Sequence, residues 1–270
     1  MNTSIIPRSG RKIVLLAVIF LAACDMSIAT SWWKSGDAET IRTLPDFSAY
    51  QDVKMKKKAF FDFMRPIVQS ENAKVSKVRK KMLDISMALD NGDEITTEDQ
   101  QWLLALAEEY NVDMPTLEDE KAWVLLKRRV DTVPFRLALA QSANESSWGT
   151  SRFAREGLNM FGQWCFTPGC GIVPAQRQAG MTHEVASYES VNESVARYIR
   201  SINRVQMYRP LRELRHNIRK KGEKPTAVEL AEELSGYSER GDDYVKEIQS
   251  MIRKNYELMS GEVHVAQHGR

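Results

Sequence analysis

The stretch "LALAQSANESSWG", residues 137–149, sets one carboxylate, Glu145, at the end of an Ala-rich run and follows it with small polar residues, an indole and a glycine. Gln141 and Glu145 are four residues apart, so on a helix they share a face, with Leu137 one turn earlier on the same side. A carboxyl that is partly buried without a cation has its pKa raised, because the charged form loses its water; a helix C-terminus disfavours the anion as well. Both effects let Glu145 hold a proton at neutral pH, which is what a general acid needs. An ordinary solvated acid at a helix end is the alternative that residue types alone leave open.

The elements that must position Glu145 are read from periodicity. Val75, Val78, Met82, Ile85 and Leu89 alternate steps of three and four and predict a helix of about four turns. "TTEDQQWLLALAEEY" starts another, with Thr97 capping towards Gln100, and Thr116, three before Asp119, opens a third that runs through Val130. Pro134 stands at the first helical position of the segment that carries Gln141 and Glu145. Residues 157–187 differ: Gly157, Gly162, Pro168, Gly169, Gly171, Pro174 and Gly180 punctuate them, while "GIVPAQ" and "THEVASY" have strand character, so an irregular lobe with a hairpin is expected. Helical signals return at Ser190, which caps towards Glu193, and at Thr226, which forms a capping box with Glu229. A last helix from about 242 to 258 buries Val245, Ile248 and Ile252.

At 270 residues the chain has room for one good-sized core, or a core plus a smaller module. With 38 basic and 36 acidic side chains the overall balance favours neither nucleic acid nor an acidic partner. Residues 51–81 are the exception, with ten Lys or Arg against three Asp or Glu, and read as a solvated helix face. Arg8, Arg11 and Lys12 precede an apolar run, Ile13 to Ala23, too short to span a bilayer as a mature helix; residues 1–24 read as an export signal. The run ends in "LAAC", which resembles the lipobox of bacterial lipoproteins and makes Cys24 the lipidated residue; an ordinary signal peptide is the other reading. Asp25 after Cys24 implies retention at the inner membrane, facing the periplasm. Residues 25–50 read as a tether with a docking point at Trp32 and Trp33, and the tail from 261 as loose. For an exported chain, Cys165 and Cys170 suggest a disulfide, with a zinc site as the competitor; only His183 stands near enough to join them.

"LALAQSANESSWGTSRFAREGLNMFG" resembles the signature of the glucosaminidase domain, glycoside hydrolase family 73: an Ala-Gln helix, Glu-Ser-x-Trp-Gly, then Asn-x-Phe-Gly. "SYESVNESVARYI" is similar to the family's Tyr-x-Ser helix start, and "LSGYSERGDDYVKEI" to its Gly-Tyr turn before the last helix. The resemblance covers roughly residues 117–257. It implies an α+β, predominantly α, lysozyme-like catalytic domain over 116–260 with a small β-hairpin lobe, preceded by a helical segment over 51–115. It implies a peptidoglycan hydrolase cutting β-1,4 bonds after N-acetylglucosamine, acting as a monomer on glycan strands, with no metal or organic cofactor and no nucleic acid. Glu145 becomes the catalytic acid, Tyr237 a catalytic tyrosine near it, and Gln141, Trp148, Asn159 and Tyr188 substrate-binding residues. Asn159 and Gly162 also shape the turn, since both tolerate positive φ. Trp164 offers a flat indole for stacking on a sugar. Glycosidases commonly pair two carboxylates, and the resemblance places the second in the hairpin lobe, where Glu184 is the acid offered; Glu156, Glu189 and the substrate's own acetamido group are the alternatives. A lytic transglycosylase, a non-catalytic wall-binding module and an interaction protein working through its basic helices remain as rival functions.

Overall fold

The computed structural model describes residues 39–261, apart from 176, 178 and 179. The signal region, Cys24, Trp32, Trp33 and the tail beyond Gly261 lie outside the described residues. The chain enters with Ile41 and Leu44 against the core, and a short 3-10 turn, Phe47–Ala49, buries Phe47.

Helix α1 spans Val53–Asp90, far longer than the four turns predicted from Val75. It continues through Pro66 because buried Phe60, Phe61, Met64, Ile67 and Val68 extend the apolar stripe on both sides of it. Helix α2 is Thr97–Glu109 and α3 is Glu120–Arg129. Both begin at different caps from those expected: Thr96, not Thr97, accepts the N–H of Asp99, and Asp119, not Thr116, accepts those of Lys121 and Ala122. Each is the residue whose side chain reaches the free N–H groups of a first turn. Helix α4, Phe135–Glu145, follows Pro134, and α5 is Arg152–Gly157.

The lobe holds three short strands, β1 (Trp164–Cys165), β2 (Gly171–Ile172) and β3 (Glu184–Ala186), in the antiparallel order β1-β3-β2. Trp164 pairs with Val185, Cys165 with Glu184, and Ile172 with Val185 on the other edge. Helices α6 (Val191–Arg204), α7 (Arg209–Lys220), α8 (Ala227–Ala231), α9 (Asp242–Lys254) and α10 (Tyr256–Ser260) complete the described chain. The caps at Ser190 and Thr226 form as expected, whereas the last helix breaks at Asn255. The fold is α+β and predominantly helical.

Two hydrophobic clusters share α1. Its first half packs with α4 and α6 to α10, and its second half, from Val78, packs with α2 and α3. Between them sits Asp131, 2% exposed, facing Arg79 of α1 at 3.7 Å and Arg215 and Arg219 of α7 at 3.5 and 2.7 Å. Burial alone would raise this carboxyl's pKa, but Arg215, Arg79 and Arg219 together hold it below its ordinary value. Because the folded pKa is depressed, the ion pairing is present above about pH 4 and is lost as pH falls through the folded value. Replacing Asp131 with Ala strands the fully buried Arg215 beside other cations. Asp131→Ala is therefore expected to cost about 3 to 5 kcal/mol in urea unfolding at pH 7, and a loss under 1 kcal/mol would show that the cluster is not holding the two halves together.

Candidate active site

Helix α4 has no exposed face. Leu137, Ala138, Leu139, Ala140, Gln141, Ser142 and Ala143 are all completely buried, the alanines letting neighbouring helices approach closely. Glu145 is its last residue and half-buried. The chain turns away at once: Ser147, Trp148 and Gly149 take consecutive left-handed conformations, φ 52°, 61° and 76°. Such φ values cost roughly 1 kcal/mol or more at non-glycine residues, and surrounding bonds hold them. Trp148 N donates to Ala143 O, and Gly149 N donates to Ser146 Oγ, which itself donates to Ser142 O. A Cβ at Gly149 would lie 2.5 Å from the Phe47 ring, so glycine is required there.

Trp148 packs edge-on against Phe60 and Phe61 of α1, with the Lys57 ammonium 5.2 Å from its ring centroid. These contacts pin the turn after Glu145 to α1. Gln141 is likewise inside the protein. Tyr198 Oη donates to Gln141 Oε1 at 2.6 Å, and Gln141 Nε2 donates to Tyr244 Oη at 3.0 Å. With its oxygen accepting from an amide, Tyr244 has its single proton free for Glu145, and it donates to Oε1 at 2.9 Å. Gln141 thus acts through Tyr244 rather than touching substrate. Tyr244 itself escaped the sequence reading, which placed Val245 on the buried face of α9. The signal lies in the spacing: Tyr244, Ile248 and Ile252 recur every four residues and all are buried, while Val245 is only half-buried.

Burial raises the Glu145 pKa above the ordinary carboxylate value. The hydrogen bonds from Tyr244 and Asn144 oppose that rise, the charge of Glu247 adds to it, and Arg240 opposes it. Arg240 and Glu247 form an ion pair at 2.8 Å, Glu247 standing one turn after Tyr244 on α9. The net result is a carboxyl biased towards its protonated form, without a direct cation partner.

Tyr237 stacks on Tyr244, centroids 5.1 Å apart, and donates to Phe161 O at 3.0 Å. It is close to the Glu145 apparatus but spends its proton on the backbone. Burial pushes its phenol well above the ordinary value, as it does for Tyr198 and Tyr244, so none of the three is a ready base. Asn159, 1% exposed, is the keystone of the Asn-x-Phe-Gly turn. Its Nδ2 donates to Gln163 O and Ala186 O, and its Oδ1 accepts from Phe161 N and Gln163 N. All four partners are backbone, so the side chain builds the turn and has nothing left for substrate. That turn brings Gly162, at φ 63°, so near that a Cβ there would stand 3.7 Å from Glu145 Oε2. Tyr188 donates to Gln163 Oε1 at 2.9 Å, and burial pushes its phenol up to about 12.

Trp164 is 56% exposed and stacked on His183 at 3.9 Å, a platform with one open face. Cys165 and Cys170 are disulfide-bonded, so neither sulfur is a free thiolate for a metal. Glu184 points its carboxylate into the same loop, where Oε1 accepts from Gly169 N at 3.0 Å and Oε2 from Gly171 N at 2.8 Å. These two bonds hold its pKa below the ordinary value. Glu247 is an acid whose charge raises the Glu145 pKa further. Of the other acids considered, Glu156 is exposed and paired with Arg152, and Glu189 is exposed.

A half-buried acid with a raised pKa, a tyrosine that fixes its geometry and a lobe carrying an open indole make up the candidate site. Residues 120–257, more than half of the chain, match the family model Glucosaminidase, described as mannosyl-glycoprotein endo-beta-N-acetylglucosaminidase, and the chain belongs to this family of glycoside hydrolases. It is also similar to "Protein bax" of Escherichia coli (strain K12), with 28% identity over 218 residues, covering 81% of this chain and 76% of that protein. No solved structure matches the chain.

The direction of the Tyr244 hydrogen bond gives a pH prediction. That bond stabilises the carboxylate, so Tyr244→Phe raises the Glu145 pKa further and extends the protonated form to higher pH. In a pH profile of kcat/KM the alkaline limb is expected to move upward; an unmoved limb would show that Glu145 is not the group titrating there.

Proposed function

We propose that this chain is an exported peptidoglycan hydrolase that cleaves β-1,4 glycosidic bonds after N-acetylglucosamine, with water as the final acceptor. The observation that carries this reading is Glu145, a carboxyl raised by burial and oriented by the Tyr198–Gln141–Tyr244 chain of hydrogen bonds. Glu145 protonates the leaving oxygen as the bond breaks, and the sugar develops oxocarbenium character. Trp164 offers its open face to a sugar ring. Tyr237, held by Phe161 O, supports Tyr244 by stacking and keeps the turn containing Gly162 beside the acid.

The positive centre needs a second group. Glu184 can supply it only by exchanging the N–H groups of Gly169 and Gly171 for the sugar, whereas the acetamido group of N-acetylglucosamine is already on the substrate. The geometry favours the acetamido group as internal nucleophile, with water opening the intermediate and returning its proton to Glu145. Tyr188, bonded to Gln163, supports the wall of the lobe.

Glu145→Gln keeps a hydrogen-bond acceptor for Tyr244 and removes the proton donor. It is expected to lower release of soluble fragments from purified peptidoglycan by about 10²- to 10⁴-fold, and mass spectrometry of the wild-type digest should show reducing N-acetylglucosamine ends. Anhydromuramyl products would instead make the chain a lytic transglycosylase, and undiminished release by the variant would remove Glu145 from the reaction.

For location, we propose a periplasmic chain anchored to the inner membrane through lipid on Cys24, on the strength of "LAAC" and the following Asp25. Among the described residues no helix is long and apolar enough to cross a membrane. Cys24→Ser should shift the protein from the membrane to the soluble fraction on cell fractionation, and unchanged membrane attachment would refute the anchor.

A further inference from the structure

At the opposite end of α4 from Glu145 lies a pocket of about 620 Å³. It opens where the helix begins, ten residues before the acid, which is about 15 Å along the axis. Its walls come from α1, the segment leading into α4 and its first turn, the end of α7, the segment before α8 and its start, the end of α9 and the start of α10. Four cations line it, Arg136, Arg219, Lys224 and Arg253, and none of its lining residues is acidic. Apolar surface from Pro134, Val228 and Ile252 makes up much of the remainder.

The four cations are not equally engaged. Arg219 is committed to Asp131, and Arg136 donates from Nη2 to Ser260 Oγ while lying over the Phe135 and Tyr256 rings. The Nε–H of Arg136 is buried with no hydrogen-bond partner. Arg253 has only a 3.5 Å contact with Gln249, and Lys224 stands exposed at the rim. Helix α4 also begins at the pocket without a side-chain cap, so its positive end is not offset there. The combination of apolar walls, cations and no acid is complementary to a ligand that carries carboxylates beside small alkyl groups.

We propose that this pocket is an exosite for the acidic stem peptides of the cell wall. The inference rests on the reading of the chain as a peptidoglycan hydrolase, for it assigns the anionic part of that substrate to a place the glycan does not occupy. Since α4 separates the pocket from Glu145 by about 15 Å, the peptide held there need not hang from the sugar being cut. Occupying it keeps the enzyme on a layered, peptide-bearing wall between cleavage events.

The test uses the mature chain and a Lys224→Glu, Arg253→Glu variant; both residues are exposed at the pocket rim and outside the Glu145 apparatus. The probes are the free wall tetrapeptide, inorganic phosphate and anionic phospholipid vesicles, with binding followed by calorimetry at low and moderate salt. The wild type is expected to bind the tetrapeptide, the variant to bind it about tenfold or more weakly, and salt to weaken binding by the wild type. Fragment release from intact sacculi should fall in the variant, while cleavage of peptide-stripped glycan strands stays unchanged. No tetrapeptide binding, equal binding by both proteins, or binding of phosphate or vesicles in its place would overturn the proposal. Failure of the hydrolase reading is separately visible, as loss of cleavage of stripped and intact substrate alike with tetrapeptide binding intact.

Discussion

The structure depends on the burial of one helix on every side. An eleven-residue helix whose middle seven residues have no solvent exposure must be surrounded, and α1, α8, α9 and α10 pack against it while α6 reaches it through Tyr198. Hydrophobic burial of this kind fixes position without fixing direction. Direction comes from the polar residues allowed inside. Gln141 is the one amide on the buried run, and its two ends are taken by phenols from α6 and α9, which sets how those helices rotate against α4. A network of this kind is favourable only when all its members are satisfied, and its last free proton falls on Glu145.

The same arrangement explains why the site is costly to keep. A carboxyl without a direct cation partner is half-buried at the negative end of a helix, where both desolvation and the helix dipole disfavour its anion. After one intervening residue, Ser146, two non-glycine residues, Ser147 and Trp148, take left-handed conformations. Neither feature improves stability, and both are held by strong neighbouring packing: Trp148 against Phe60 and Phe61, and Gly149 beneath Phe47. Aromatic residues that precede the glucosaminidase match in sequence are therefore structural supports of its acid. The long helix α1 serves two clusters at once, and Asp131 with its three arginines sits where they meet, so the N-terminal helices and the helix that carries Glu145 are mechanically continuous.

In the lobe, backbone geometry and charge are joined differently. The disulfide closes a loop of five residues' separation, and Glu184 fastens the same loop through two N–H groups, so one short segment is held twice. Its rigidity leaves Trp164 supported from below by His183 and open above. Asn159 ties this lobe back to the turn beside Glu145 by bonding to Ala186 of β3. Two backbone bonds join it, from Ala186 N to Gln163 O and from Tyr188 N to Gly157 O.

Sequence alone determined what is local. The caps at Ser190 and Thr226, the glycine-punctuated lobe, the helix ending at Glu145 and the family signature all rest on residues close together in the chain, where side chain and backbone interact regardless of the rest of the fold. Local patterns misplaced the caps of α2 and α3 by one and three residues, because several nearby side chains can cap and only the final path selects one. Tertiary structure decided what is distant. Tyr244 lies 99 residues from Glu145, Phe60 nearly as far from Trp148, and no spacing rule joins them. It also decided which polar residues face inward: Gln141 and Asn159 carry the right chemistry for sugar, yet both are buried and hydrogen-bonded at both ends of the amide, because their donors and acceptors are needed to pair groups that folding removes from water.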